Sequence, residues 1–472
     1  MNGFDVINVP SCGLDVHKEK IDACVIGSDG QAHHKVFDTM RASLSDLRSW
    51  ILSFNCLHVL MESTGVYWIP IYELLEEVPG MDVGVGNSQA MKNVPGRPKR
   101  DKDDAGWVAK LCMFGLILKS FIVGRKFREL REYTRYHKKL VQERSRQVNR
   151  IEKLLQMNGF KLSSVLSDIT GVSGRRLLEK LVGTGSVTVA DVRQALDRRV
   201  KMPAEEVERA INGTMKPTSR LLMGRMLKRL DTCDREISEI YDMMVEMSKE
   251  YTPQIRIIDS IPGLGELSAI YIIAEISTEL SSFETKKHIT AWAGLAPKDN
   301  ESAGKLKSGK TKKANIYIKS ILLECAWAAT RVRGTRISNW FWRNEKRLGK
   351  KKAVTAVARK LLVYIYAMLK SGELYDGSPD VADTEKCKAE KLESARKIVE
   401  RQANDLNLKR HRVNTAQDSF ALEPLMSQQA TDGLAPVTME LCPEIINEPP
   451  KRKRGRPRKI DVIHKLTESQ LN

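Results

Sequence analysis

The sequence predicts an α/β fold joined to a largely helical region, and three observations lead to that prediction. Three short β-rich runs open the chain, and helical segments then alternate with two further apolar runs, as in a mixed sheet with an antiparallel start and a parallel continuation. From residue 125 onward, long segments with helical spacing dominate. After residue 372 the apolar periodicity fades, which is typical of disordered sequence.

The predicted sheet occupies the first quarter of the chain. Strands are expected at residues 7–16, 21–26, 32–37, 57–61 and 81–85. Helices are expected at residues 43–54 and 66–77 and at residues 101–118. The sequence Ser28-Asp29-Gly30 predicts the turn between the second and third strands, because Asp-Gly pairs favour tight hairpins. This order of elements is that of a ribonuclease H-like domain, in which the first and fourth strands are neighbours.

Four regions are expected along the chain. They are a ribonuclease H-like domain at 1–123, a helical coiled-coil region at 124–250 with a small helical insert at 160–217, a mixed and mostly helical domain at 251–372, and a mostly disordered basic tail at 373–472. The coiled coil is predicted from eight apolar positions between Met223 and Met247 that alternate spacings of 3 and 4. This stripe forms either the core of a hairpin within the chain or a surface for dimerisation.

The charge balance predicts a nucleic-acid partner. The chain has 78 Lys and Arg against 59 Asp and Glu, a net charge of +19, and such a surplus favours polyanions through counterion release. Residues 1–90 nevertheless hold 5 basic and 12 acidic side chains, a local net of −7, so residues 91–472 carry +26. The acidic first quarter therefore calls for an explanation of its own.

Several classes of protein are excluded. No apolar run approaches the roughly 18 residues of a membrane helix, and the N-terminus lacks the charged and apolar regions of a secretory signal. The 8 cysteines are scattered without a C-x-x-C pair, which argues against a disulfide framework or a zinc site. We therefore expect a cytoplasmic protein with reduced thiols and no membrane partner.

Two candidate metal ligands come from predicted strands. Asp15 lies among apolar residues on the first strand, where a charge is costly unless it is paired or bound to a metal. Glu62 closes the fourth strand. Sites in α/β sheets gather at the carboxyl ends of strands, so these two carboxylates are expected to lie side by side.

Two more candidate ligands open the last helix of this domain. Asp101 and Asp104 continue the apolar stripe of Val108 and Leu111 through spacings of 3, 4 and 3, so both are expected to face the core. Asp103 lies off the stripe and is the weaker candidate. The alternative for either acid alone is a helix cap. Four converging carboxylates would instead hold two divalent cations, and their hard oxygen atoms favour Mg²⁺ or Mn²⁺ over zinc.

Short motifs in both halves of the chain resemble one known family. The N-terminal motifs are GLDVHK at 13–18, MESTG at 61–65, VPGR at 94–97 and DKDDA at 101–105. The C-terminal motifs are IPGLG at 261–265, AGLAP at 293–297 and NESAGK at 300–305. Together they resemble the DEDD transposases of the insertion-sequence one-ten family, which include the Piv-type DNA invertases, over residues 10–370.

The resemblance implies a RuvC-like domain that binds two Mg²⁺ or Mn²⁺ ions through Asp15, Glu62, Asp101 and Asp104. It also implies that Ser302 is a covalent nucleophile toward DNA. A bridge RNA encoded by the element would pair with donor and target DNA, and the protein would act as a homodimer or homotetramer. From spacing alone, a loop or capping role is favoured for Ser302, and only the resemblance favours the nucleophile; Ser308 is a rival for that role.

Basic residues near Ser302 and in the tail are candidate nucleic-acid ligands. Those near the serine are Lys305, Lys307, Lys310, Lys312 and Lys313. Their ammonium groups are suited to phosphate contacts. In the tail, Arg454-Gly455-Arg456-Pro457 resembles an AT-hook for the minor groove, with a generic phosphate-binding tail as the alternative. The turn at 261–265 resembles a helix-hairpin-helix turn, whose amides can hold a phosphate.

The expected function is therefore transposition by a DNA recombinase, in the cytoplasm of a bacterium and associated with the nucleoid. The alternative is a metal-dependent Holliday-junction nuclease without covalent serine chemistry. A non-enzymatic scaffold is disfavoured, because it does not explain why four carboxylates should converge.

Overall fold

A computed structural model describes residues 5–62, 65–95, 104–297, 301–302, 305–306, 311, 314–377, 392–393 and 396. At 301, 302, 305 and 306 it describes the backbone alone. Several predicted site residues lie outside these ranges, namely Asp101, Asp103, Lys307, Ser308, Lys310, Lys312, Lys313, Arg454 and Arg456. Most of the predicted tail lies outside them as well. All the helices and strands named in this structure belong to the unit formed by residues 1–385.

The N-terminal region contains a five-stranded mixed sheet. Its strands are β1 (Ser11–Val16), β2 (Lys20–Ile26), β3 (Ala32–Asp38), β4 (His58–Glu62) and β5 (Asp82–Gly86). The strand order is β3-β2-β1-β4-β5. β1 pairs antiparallel with β2 and parallel with β4. The mixed sheet and the neighbouring first and fourth strands are confirmed, and they are compatible with a ribonuclease H-like domain.

The first strand is shorter than its apolar sequence predicts. It begins at Ser11, not at Ile7, because the amides of Ile7 and Asn8 donate to the Met113 carbonyl at 3.0 Å each. Pro10, which has no N–H, cannot donate a ladder hydrogen bond in any case.

Helices cover both faces of the sheet. They are α1 (Arg41–Ser53), α2 (Trp68–Glu76), α3 (Ser88–Asn93) and α4 (Asp104–Met113). α1 and α2 pack against one face, where Leu47 and Leu75 join the core that contains Leu14. α4 covers the other face, where Ala105 packs with Cys24. The helical spacing predicted for 43–54 is confirmed, because its apolar residues are the buried ones of α1.

The predicted helix at 101–118 is wrong at its C-terminal end. α4 stops at Met113 because Gly115 adopts a φ of +61, a conformation that ends helices. The Leu116 amide then donates to the Leu111 carbonyl at 3.1 Å. Leu118, which helical spacing had placed in the same element, is 94% exposed.

The backbone of α4 lies directly on β1 at Gly13. A Cβ atom added to Gly13 would lie 2.1 Å from the Ala109 nitrogen and 2.3 Å from the Ala105 oxygen. Ser11, on the same face of the strand, donates its hydroxyl to the Ala109 carbonyl at 3.2 Å. Only glycine allows this approach, because any side chain would collide with the helix backbone.

The described residues from 125 to 371 are mostly helical. Their helices are α5 (Arg125–Met157), α6 (Val172–Thr184), α7 (Val189–Ala195), α8 (Ala204–Ile211), α9 (Pro217–Met247), α10 (Thr252–Asp259), α11 (Glu266–Ile276), α12 (Lys286–Trp292), α13 (Ile316–Arg331), α14 (Arg336–Leu348) and α15 (Lys350–Ser371). Two short strands, β6 (Glu301–Ser302) and β7 (Lys305–Leu306), lie between α12 and α13. Within the described ranges, no helix has the length and apolar character needed to cross a membrane.

The two long helices pack against each other in antiparallel fashion. Glu143 and Arg144, in the middle of α5, pair with Arg229 and Asp234 of α9, whereas Lys126, at the start of α5, pairs with Glu250 just beyond the end of α9. The predicted stripe on α9 therefore faces α5 of the same chain, and its members Met223, Leu230, Cys233 and Met244 are buried. A coiled coil that also dimerises stays a prediction.

The C-terminal helices share one hydrophobic core with the start of α5. The turn between α10 and α11 contains Gly263 at a φ of +89. A Cβ there would lie 2.3 Å from the Ala329 nitrogen, so this turn packs closely on α13. Its predicted role as a helix-hairpin-helix phosphate site stays a prediction.

We predict that Gly13→Ala lowers the free energy of unfolding by about 3 kcal/mol or prevents folding, because the new methyl group overpacks a backbone contact. Urea denaturation measures the change. Gly183→Ala in α6 is the matched control, because nothing lies within 4 Å of its added Cβ. The control should be neutral or slightly stabilising. Equal stability of both variants would contradict the packing described for α4.

Candidate active site

Two of the predicted carboxylates lie side by side on neighbouring parallel strands. Leu14 of β1 is in register with Met61 of β4, so Asp15 and Glu62 follow at adjacent positions. Both stand at the carboxyl ends of their strands, where α/β sheets place their sites. The structure thus brings together two residues that are far apart in sequence.

α4 places a third carboxylate beside this pair. Gly13 and Asp15 are two residues apart on β1, so their side-chain positions share the face that α4 covers. Since the Ala105 carbonyl lies over Gly13, the first turn of α4 lies over the end of β1. Asp104, the first residue of that helix, therefore stands next to Asp15.

The electrostatics of Asp15 reflect this convergence. The residue is 9% exposed, and burial is the largest cause that raises the pKa of its carboxyl group. The nearby carboxylates of Glu62 and Asp104 raise this pKa further, while His17 opposes the rise. The His17 Nε2 atom lies 3.1 Å from Asp15 Oδ2.

Two further potential ligands adjoin Asp15, and the sequence reasoning missed both. Asp22 lies directly opposite Asp15 in the β1–β2 pairing. Asp15, His17 and Asp22 each offer one ligand atom, and these atoms lie within 4.8 Å of one another. Asp22 could have been found from the register of the β1–β2 hairpin, which pairs it with Asp15. The positions of the two strands in the sequence predict that register only approximately. Lys20 already pairs with Asp22 at 2.8 Å.

The donor set fits a divalent cation. Carboxylate oxygens are hard ligands that suit Mg²⁺ or Mn²⁺, and a buried carboxylate with acidic neighbours gains most from a cation. Asp15, Glu62 and Asp104 are held on two strands and a helix, so their backbone positions are fixed before any ion binds. Asp101 lies outside the described residues.

Ser302 lies in a small hairpin of the C-terminal region. Its backbone pairs with Lys305, and Glu301 pairs with Leu306. A bridge between Pro297 and Thr311 closes the base of the segment. These backbone pairings place Ser302 on the first strand of the hairpin, and its predicted role as a nucleophile stays a prediction.

A buried ionic network anchors the chain just after this hairpin. Glu275 of α11 is 2% exposed and accepts two bonds from Arg135 of α5, at 2.9 and 3.1 Å. Arg131 approaches the same carboxylate at 3.3 Å, and burial lowers the pKa of Arg131 to about 10. Asn315, which caps the N-terminus of α13, donates to Glu275 at 2.6 Å.

This network ties three helices together. α5, α11 and α13 each contribute to it through Arg135, Glu275 and Asn315. The ring of Tyr317 adds a contact, because the Arg135 guanidinium lies 4.2 Å from its centroid. The sequence did carry a signal for the network, since Glu275 interrupts the apolar second half of α11.

Comparisons with known proteins match both halves of the chain. Residues 12–158 match a family model described as a transposase, of the DEDD type found in IS110 elements. Residues 255–340 match the transposase family described as IS116/IS110/IS902. The two matched segments contain the carboxylate site and the core of the C-terminal helices, respectively.

Individual relatives agree with these families. The chain is 25% identical to an uncharacterized 42 kDa protein of insertion element IS900 from Mycobacterium paratuberculosis, over 63% of this chain and 77% of that protein. It is 27% identical to y4rJ, a candidate transposase of Sinorhizobium fredii, over 52% of this chain and 59% of that protein. It is 25% identical to a pilin gene-inverting protein of Moraxella bovis, over 28% of this chain and 42% of that protein.

Both family matches identify the chain as a transposase, an enzyme that cleaves and recombines DNA. More narrowly, the chain belongs to the IS110 family of transposases. The resemblance of its motifs to the insertion-sequence one-ten family is thereby confirmed.

We predict that Glu275→Ala lowers the free energy of unfolding by about 3–5 kcal/mol, because it leaves Arg131 and Arg135 partly buried without their partner. Urea denaturation measures the loss. Glu239→Ala on the exposed surface of α9 serves as the control and should change stability by less than about 0.5 kcal/mol. A small effect at both positions would show that the network contributes little.

We predict that Asp15→Asn stabilises the metal-free protein near neutral pH. Because the pKa of Asp15 is raised in the folded state, the folded protein takes up this proton at a higher pH than the unfolded chain. Stability without metal therefore falls as the pH rises through that pKa. Thermal unfolding in EDTA should give a higher midpoint for the variant.

Added Mg²⁺ should reverse this order of stability. Wild-type protein should gain about 2.7 kcal/mol at an Mg²⁺ concentration 100 times its Kd, and the variant should gain far less. Equal gains for both proteins would argue that Asp15 does not ligate the ion.

Proposed function

We propose that this transposase cuts and exchanges DNA strands at a site formed by Asp15, Glu62, Asp101 and Asp104 with two Mg²⁺ or Mn²⁺ ions. One observation carries the proposal: Asp15 and Glu62 stand at adjacent positions on parallel strands, and the contact of α4 with Gly13 places Asp104 beside them. Such a cluster is repulsive by itself, and cations relieve that repulsion. The bound ions would activate a nucleophile and stabilise the charge on the leaving oxygen.

The protein's own residues would hold this arrangement rigid. Asp15 and Glu62 extend from adjacent strands in fixed register, and the Gly13 contact fixes α4 and with it Asp104. His17, bonded to Asp15 at 3.1 Å, restricts the orientation of that carboxylate. Sites built on strands and helices keep their geometry better than sites built on loops.

Ser302 is the proposed nucleophile. Its Oγ atom would bond to a phosphorus of the DNA backbone and break the bond from that phosphorus to a deoxyribose oxygen, which leaves with a proton. The resulting phosphoserine ester preserves the energy of the cut bond for rejoining. Support comes from the family match over 255–340, which includes this serine, and from the backbone pairing of Ser302 with Lys305.

Basic residues would supply the phosphate contacts. Lys305, Lys307, Lys310, Lys312 and Lys313 cluster in sequence around the serine, and Arg454 and Arg456 lie in the tail. Each ammonium or guanidinium group would hold a backbone phosphate without reading sequence.

A bridge RNA is the proposed guide to donor and target DNA. Residues 125–156 hold 11 basic and 4 acidic side chains, and Lys139, Arg146, Arg150 and Lys153 are exposed along α5, which suits a polynucleotide backbone. We further propose that the enzyme acts as a homodimer or homotetramer in the cytoplasm, near the nucleoid. The domain limits 1–123, 124–250, 251–372 and 373–472 belong to the same proposal.

We predict that Ser302→Ala abolishes a covalent protein–DNA adduct and strand transfer, because alanine lacks the hydroxyl that would form the ester. Trapping the adduct on a labelled element end and resolving it on a denaturing gel measures this. Ser308→Ala is the matched control and should keep the adduct, while Asp15→Ala should lose strand transfer and keep DNA binding.

An adduct that persists in Ser302→Ala would overturn the serine assignment. Free DNA ends without any adduct in the wild-type protein would instead support a metal-dependent junction nuclease. Asp46→Ala, on the exposed side of α1, controls for the loss of one acidic charge in the same domain and should leave strand transfer intact.

A further inference from the structure

We propose that the corner between α13 and α14 is a docking surface for single-stranded DNA. This basic corner comprises Trp327 and residues 331–352. It lies outside both the carboxylate site and the serine hairpin. The inference deepens the proposed function by naming a surface for the DNA strand, and it relies on the transposase assignment but not on Ser302 or the metal.

The corner concentrates positive charge. Residues 331–352 contain nine Lys and Arg residues and one acidic residue, Glu345, and all nine basic side chains are exposed. This one acidic residue, which lies 3.9 Å from Lys350, offsets only one of the nine positive charges. A net charge of +8 in such a short segment would attract a polyanion strongly.

Exposed aromatic rings lie within this charge. Trp342 is 45% exposed and Trp327 is 41% exposed. The buried Phe341 lies between them, with ring centroids 5.1 Å from Trp342 and 6.3 Å from Trp327. The Arg333 guanidinium lies 5.3 Å from the Trp342 centroid. The Trp342 ring therefore packs against its neighbours while part of it stays accessible to solvent. Exposed tryptophans in a charged setting commonly mark a binding surface.

The combination favours an unpaired nucleic-acid strand over a duplex. Aromatic side chains stack on the faces of bases, and cations beside them hold the phosphates. In a duplex the base faces are covered by their neighbours, so only phosphates would remain for this corner. Strand exchange by a transposase exposes unpaired DNA, which supplies the partner.

A protein partner fits the corner less well. Two copies that met symmetrically at this surface would bring two charges of +8 together, and like charges oppose such contact. The same aromatic residues could serve an interface only if the partner were strongly acidic. The oligomeric state of each variant is therefore measured as part of the test.

Fluorescence anisotropy of the full chain with a labelled, unstructured DNA strand tests the proposal. The measurement is made in EDTA, which removes divalent metal and prevents DNA cleavage, and it is repeated over a series of salt concentrations. Because binding is measured without cleavage, a negative result would count against this surface and not against the proposed metal site or Ser302. Trp342→Ala should weaken binding by about tenfold or more, and Trp342→Phe should recover most of it. The triple variant K350A/K351A/K352A should reduce the slope of log K against log salt by about 2.

The triple variant R198A/R199A/K201A is the matched control, because it removes the same charge from exposed positions in the helical insert. It should leave affinity for the strand and its salt slope near the wild-type values. Thermal unfolding checks that each variant is folded, and the lysine variant keeps the test decisive if Trp342→Ala fails to fold.

Four results would overturn the proposal. If the matched control lost as much affinity as the lysine variant, binding would depend on the net charge of the protein and not on a defined surface. Equal losses by Trp342→Ala for duplex and single strand would remove the role of stacking. A larger loss for RNA of the same sequence would assign the corner to RNA. A change of oligomeric state in light scattering would assign it to a protein interface.

Discussion

The contact between α4 and β1 at Gly13 is the constraint on which the candidate active site depends. The helix backbone comes so close that a Cβ atom would lie 2.1 Å from the Ala109 nitrogen. Because Asp15 shares the face of Gly13, the same contact brings Asp104 to it. A bulky residue at position 13 would push the helix out and separate the carboxylates. Gly13, which has no side chain, therefore determines both the packing of α4 on β1 and the proximity of Asp104 to Asp15.

A second constraint operates near the start of α5. Glu275 is buried with two arginines of α5 and with Asn315, so the chain that leaves the serine hairpin is tied to the same helix that leaves the N-terminal sheet. Buried ionic groups are costly unless each is satisfied. Here they fix the relative placement of α5, α11 and α13, where apolar packing alone would permit several.

The uneven charge now has a physical interpretation. Asp15 and Glu62 lie in the acidic first quarter, whose local net of −7 includes a site suited to cations. Positive charge is carried by α5 and by the basic corner at α13 and α14, both helical surfaces. The proposed metal site and the proposed phosphate-binding surfaces are compatible within one chain, because salt largely screens exposed charges that lie more than about 10 Å apart.

The sequence by itself determined the element types, because apolar periodicity decides which face of a strand or helix is buried. It located all five strands of the sheet, the helical spacing of α1, and the positions of Asp15 and Glu62 at strand ends. It did not determine where β1 begins or where α4 ends, since those limits depend on the Met113 carbonyl and on Gly115. Nor did it find Asp22, His17 or the Glu275 network. These residues meet only through strand register and contacts between distant helices, and such distances are decided by tertiary packing, not by local preference.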